Sequence, residues 1–259
     1  MIDTKEILRD TYVKVDLGRI AKNMTLIREM AGPDVAVMPV IKANGYGHGA
    51  VNIAPVLVES GASYLAVATL TEAMELREAY PDYPLFILGH TPDRLLHYAA
   101  EQNITQTVFS LRQARILANA ARKAGRKAKV HIKVDTGMGR IGITPDEEGL
   151  EFVRFLMGHP ELEVEGIFTH FAKSDEEDKT SASAGTFSEF YRQNTDRAGA
   201  YYSRQALLQQ CGNLGNAPGE YGYGPCWYHY LRSVSFRRSE QGYCTLTGSH
   251  VSLQSYCIL

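Results

Sequence analysis

From Asp34 to Thr169 the chain alternates short apolar runs with longer segments whose apolar residues recur at helical spacing, and this alternation restricts the fold more than any other feature. Parallel strands joined by crossover helices write such a pattern, because each strand is buried on both faces and each helix on one. Six strands are predicted, at Val35–Ile41, Tyr64–Ala68, Leu85–Leu88, Thr107–Phe109, Lys129–Val134 and Val164–Thr169. Between them, Ile53, Val56 and Leu57, then Ala73, Leu76 and Ala79, then Ala114, Leu117, Ala118 and Ala121 fall on single helix faces. Gly32-Pro33, Gly61, Pro81, Gly125 and Gly158 to Pro160 stand where helices stop and turns begin. Asp16 is placed to cap a first helix, and Tyr12 to Asp16 reads as one more strand ahead of it.

The chain has 259 residues, 44% of them hydrophobic, enough for one α/β barrel of the TIM-like (β/α)8 kind and little else. With six legible strands of eight, that barrel is expected to be incomplete. A formal net charge of −2 gives no electrostatic footprint for nucleic acid or a membrane surface, so the expected partner is a small molecule. No apolar run reaches the roughly 18 residues of a membrane span, and Met1 to Thr11 lacks a signal pattern, which points to the cytoplasm.

Polar chemistry collects at the C-terminal ends of the expected strands, the end where parallel barrels build active sites. Lys42 follows the first strand, Asp135 to Arg140 the fifth, and His170 the sixth. The run Val40-Ile41-Lys42-Ala43-Asn44-Gly45-Tyr46-Gly47-His48-Gly49 brings a lysine out of an apolar strand into a glycine-rich turn. A lone lysine is usually a snorkelling surface charge, but one at a strand mouth is placed for burial to lower its pKa, and a deprotonated amine condenses with an aldehyde cofactor. In the run His131 to Gly142, Arg140 stands in a second glycine-rich turn, where a guanidinium donates to an anionic oxygen without changing protonation.

Both runs closely resemble the motifs of bacterial alanine racemases, and the resemblance covers Tyr12 to Lys179. It implies a pyridoxal 5'-phosphate enzyme that interconverts L- and D-alanine, supplying D-alanine for the cell wall. It assigns the cofactor to Lys42 as the catalytic lysine, with Tyr46 lining the pocket, Arg140 on the phenolic oxygen and substrate, and His170 packed against the cofactor ring. It also suggests Lys133 as a lysine for carbamylation. No metal is implied. The family's second base is a tyrosine from a C-terminal β domain of the partner subunit in a homodimer, and neither that domain nor the dimer is expected here. Two other readings stay open: a non-catalytic pyridoxal-phosphate-binding barrel, against which the long Asn44 to Gly49 turn argues, and an inert misfolded fragment.

Composition changes abruptly near Gly199, which divides the chain into an incomplete barrel, 1–199, and a non-homologous, poorly ordered tail, 200–259. The tail holds all four cysteines, at spacings that match no close-paired zinc pattern, the single Trp227, eight of fifteen tyrosines and no lysine. It shows no periodicity able to supply strands seven and eight. Codons that could encode it, read one nucleotide later, give family-like text: Trp227 followed by Tyr228 yields glycine, and Tyr221 and Tyr223, each before glycine, can become methionine. The same frame returns the family's phosphate-site serine at Gln210 and its pyridine-pairing arginine at Pro225. The expected cause is a frameshift near Gly199, and the expected result is a truncated, impaired racemase.

Overall fold

The computed structural model describes residues 13–33, 35–172, 177–198, 204–208 and 256–258. All six expected strands are present, as β1 (Val37–Pro39), β2 (Leu65–Val67), β3 (Leu85–Ile87), β4 (Thr105–Val108), β5 (Ala128–Val134) and β6 (Leu162–His170). Strands β2 to β6 pair in sequence order, each parallel to the next. The segment just after β1 meets β2 through a parallel bridge between Val40 and Ala66 and the bond from Ile41 N to Ala66 O.

Helices begin where side chains can satisfy their first amides. Asp16 accepts from Arg19 N to start α1 (Leu17–Ala31), as its position predicts. Thr69 and Glu72 form a reciprocal capping box on α4 (Leu70–Ala79), and Ser110 and Asp146 cap α6 (Leu111–Ala124) and α7 (Glu147–Met157). Between these lie α3 (Ala50–Glu59) and α5 (Leu96–Glu101), and α8 (Glu177–Ala198) follows β6. No described helix is long and apolar enough to cross a membrane.

Two hydrophobic clusters lie between helices and strands. Ile20, Met24, Ile53, Leu57 and Leu76 pack on β1 to β3, and Leu117, Leu150, Val153, Phe187 and Phe190 pack on β4 to β6. Each fully buried aliphatic or aromatic side chain contributes about 1.5–3 kcal/mol, so the helices are held mainly from this side. The barrel lumen is narrower, filled by Met38, Val40, Tyr64, Ala66, Phe86 and Phe168.

The period-two rule splits β5 cleanly: Val130, Ile132 and Val134 face the helices, while Lys129, His131 and Lys133 form the opposite row. On β6 a bulge opposite Val130 and His131 inserts one residue, with Val130 facing Val164 and His131 facing Gly166. The extra residue is Glu165, whose carboxylate thereby meets Tyr64, Thr105 and Lys129 across the lumen.

Two expectations need correction. The expected strand at Tyr12 to Asp16 is not formed by its described residues, Val13 to Asp16, which pair with no strand among the described residues, and Val13 is 84% exposed. The tail does supply two strands, β7 (Arg204–Leu208), parallel to β6, and β8 (Tyr256–Ile258), antiparallel to both β7 and β1. Open edges of β6 and β1 present unpaired amides and carbonyls that any backbone can pair, so no side-chain periodicity is required. The barrel remains partial in the sense that its eighth slot is filled by three antiparallel residues without a crossover helix among the described residues. Cys211, Cys226, Cys244, Trp227, Gln210 and Pro225 lie outside the described residues.

Candidate active site at the barrel mouth

Lys42 leaves β1 into α2 (Lys42–Tyr46), which is a left-handed turn and no ordinary helix: Ala43, Asn44, Gly45 and Tyr46 all have φ between 51° and 62°. Gly45 is required there, because a Cβ would come within 2.8 Å of Ile53. The turn is closed by Gly45 N donating to Ile41 O at 2.8 Å and by Ala50 N donating to the Asn44 side chain at 2.8 Å. It leaves Lys42 half-buried at the C-terminal end of β1, with its Nζ 5.9 Å from the Tyr46 ring centre.

The loop after β5 is built around Asp135. Its carboxylate accepts from Gly137 N at 3.0 Å and from Gly139 N at 2.9 Å, and Asp135 N donates to Ile143 O. Gly142, at φ 136°, admits no side chain, since a Cβ would lie 2.6 Å from Asp135 N. Burial pushes the Asp135 carboxyl up, but the Gly139 and Gly137 amides and the Lys133 charge outweigh it and hold the group below the ordinary carboxylate range. Arg140 projects from this loop, exposed. Thr136 and Thr169 hydroxyls meet at 2.8 Å, Thr169 donates to Val134 O, and Ser183 donates to Thr136 O, fastening the loop to β6 and α8.

Lys133 is 2% exposed, donates to Val134 O at 2.6 Å and lies 5.8 Å from the Phe168 ring centre. Burial lowers its pKa to about 8, with Asp135 opposing and Arg140 adding to the fall. At the end of β6, His170 is brought down to about 4 by burial first, then by the charges of Arg140, Lys133 and Lys42. Its imidazole is neutral at pH 7, and the charges of Arg140, Lys133 and Lys42 all act on it.

Lys42, Lys133, Arg140 and His170 thus stand at or just after the C-terminal ends of β1, β5 and β6, and the Tyr46 ring lies 5.9 Å from Lys42 Nζ. The sequence reading missed Glu72, whose carboxylate reaches Ala43 N, and the Thr136–Thr169 pair. The Thr69-x-x-Glu72 spacing carried a signal for the first as a capping box; nothing in the sequence marked the second. The charges suit an anion: three cations act on the one imidazole, and the nearby carboxylate, Asp135, is taken up by glycine amides.

Residues 15–220 match the family described as alanine racemase, N-terminal domain. The alanine racemase of Clostridium perfringens is 50% identical over 173 residues, 67% of this chain and 45% of that protein. That of Clostridium novyi is 37% identical over 229 residues, 84% of this chain and 59% of that protein. The crystal structure of alanine racemase from Bacillus anthracis with bound L-Ala-P superposes with a TM-score of 0.70 at 37% identity, over 78% of this chain and 53% of that one. The chain spans about half the length of the curated relatives it matches.

Proposed function

The chain belongs to the alanine racemase N-terminal-domain family, and we propose that its barrel mouth is the cofactor-bearing half of a racemase site, holding pyridoxal 5'-phosphate on Lys42 and acting on alanine. The carrying observation is that Lys42, Lys133 with Arg140, and His170 stand at the C-terminal ends of β1, β5 and β6, where the three cationic charges act on a neutral His170. A phosphate ester, a phenolate and an amino-acid carboxylate are the anions such a mouth attracts. When bound, the cofactor supplies a conjugated ring that takes up the electron pair left when the α C–H bond breaks. Lys42 holds the cofactor and moves the α proton on one face. Tyr46 lines that side. Arg140 donates to anionic oxygens without titrating, and His170, uncharged, packs against the ring without opposing the cations.

Lys133 has a further role in this reading. With its pKa at about 8, about a tenth of the amine is neutral at pH 7. A neutral amine adds carbon dioxide and releases a proton, leaving a carbamate whose negative charge faces Arg140 and orients it.

We place the chain in the cytoplasm, and read 1–199 as an incomplete barrel and 200–259 as a frameshifted tail. Support comes from the composition break near Gly199 and from a single alternative frame in which codons able to encode 202–228 and 231–236 spell family-like text. The phosphate loops of such barrels follow strands seven and eight. Cofactor affinity and racemase activity should therefore be impaired, as should assembly of the family's homodimer. Purified chain saturated with pyridoxal phosphate is expected to interconvert alanine enantiomers weakly or not at all; ready turnover would refute the impairment. An uninterrupted frame in the gene between Arg197 and Ser203 would refute the frameshift.

A further inference from the structure

The turn that presents Lys42 is costly backbone. Ala43, Asn44 and Tyr46 each lie in the left-handed region, at φ 51°, 54° and 53°, where a side chain costs roughly 1–2 kcal/mol. Consecutive residues of this kind persist only where their surroundings over-determine them. Most bonds of the turn are local: Gly47 N to Ala43 O, Gly49 N to Asn44 O, and Ala50 N to the Asn44 side chain. The bond from Ala43 N to Glu72 Oε1, 2.7 Å long, instead reaches a different element 29 residues away.

The other oxygen of that carboxylate, Oε2, accepts from Ala68 N at 2.8 Å and Thr69 N at 3.1 Å, while Glu72 N donates back to Thr69 Oγ1 at 3.4 Å. Glu72 is thereby fixed in the first turn of α4 before it touches the lysine turn. In an ordinary capping box the glutamate serves its own helix start. Here one oxygen caps the helix and the other grips the amide immediately after Lys42. Bonds from amides to an ionised carboxylate are roughly twice as strong as neutral ones.

We propose that Glu72 is a positioning residue for Lys42, acting through the amide of Ala43 to hold the left-handed turn that aims the lysine into the barrel mouth. The proposal rests on the reading of Lys42 as the cofactor lysine. Glu72→Gln keeps the size of the side chain and one acceptor oxygen, so it can serve the helix start or Ala43 but not both. Thr69→Ala weakens the same helix start without touching Ala43 and isolates the capping contribution. Glu72→Asp, one methylene shorter, is a second variant that loses reach should the glutamine variant not fold.

Amide hydrogen exchange on the full chain without cofactor reads the turn directly. Glu72→Gln or Glu72→Asp is expected to speed exchange across Ala43 to Gly47 about tenfold over both wild type and Thr69→Ala. The same variants are expected to lower the yield of pyridoxal phosphate trapped on Lys42 by borohydride, while Thr69→Ala leaves that yield unchanged. Equal exchange in the Glu72 and Thr69 variants, or none above wild type, overturns the proposal. Absence of trapping on Lys42 in the wild type overturns the cofactor reading instead, and the exchange rates still decide whether Glu72 holds the turn.

Discussion

Lys129 and Lys133 lie four residues apart on the same row of β5, yet their ammonium groups live under opposite rules. At the lower end, Lys129 donates to Glu165 Oε1 at 2.8 Å; that bond raises its pKa against the opposing effect of burial. Glu165 also accepts from Tyr64 and Thr105 at 2.9 and 3.1 Å, and although burial pushes its carboxyl up, the bonds from Lys129 and Tyr64 hold it down. At the upper end, Lys133 has a backbone carbonyl as acceptor, Arg140 nearby, and a pKa lowered to about 8. In the lower lumen the bonds of Glu165 to Lys129, Tyr64 and Thr105 hold neighbouring strands together. The upper lumen carries cationic charge that its own carboxylate does not neutralise, the condition a binding site for an anion requires.

The sharpest way to break this contrast is at the bulge. Glu165→Ala leaves Lys129 facing a desolvated hole and should destabilise the chain by about 4 kcal/mol, read by chemical denaturation. Next in size, Lys133→Met should stabilise it by about 3 kcal/mol at pH 7. The folded pKa of Lys133 lies below the unfolded one, so the penalty is complete below pH 8 and is relieved as pH rises towards 10.5; the methionine variant should lose that rise. His170 obeys the same sign in acid. The unfolded state takes up a proton near pH 6.5 and the folded state only near 4, so stability falls across that window by about 3 kcal/mol and levels off below it. His170→Asn should flatten this part of the pH–stability curve. Smallest, Thr169→Val should cost about 1 kcal/mol and loosen the Arg140 loop, seen as faster amide exchange across 136–140.

What the sequence could show followed from periodicity and motif length. Alternation placed six strands within a few residues, because apolar rows two apart and three or four apart leave an unmistakable trace. The glycine-rich runs placed Lys42, Arg140 and His170 at strand ends, and the mouth is where they stand. Glu165 was invisible, since the bulge that turns it inward is a register shift between two strands and leaves no mark in either alone. Glu72 was legible as a helix cap and hidden as a partner of Ala43, because that contact joins elements 29 residues apart. Strands β7 and β8 escaped notice because backbone pairing at an open edge makes few demands on side chains.

The central claim, that the cations of the upper lumen are assembled to hold an anionic aldehyde on Lys42, is tested most directly by mapping where that aldehyde attaches. Full-length chain incubated with pyridoxal phosphate near pH 8, reduced with borohydride and digested should yield its dominant adduct on the peptide containing Lys42. Adducts spread over exposed lysines, with the Lys42 peptide unmodified, would contradict the account.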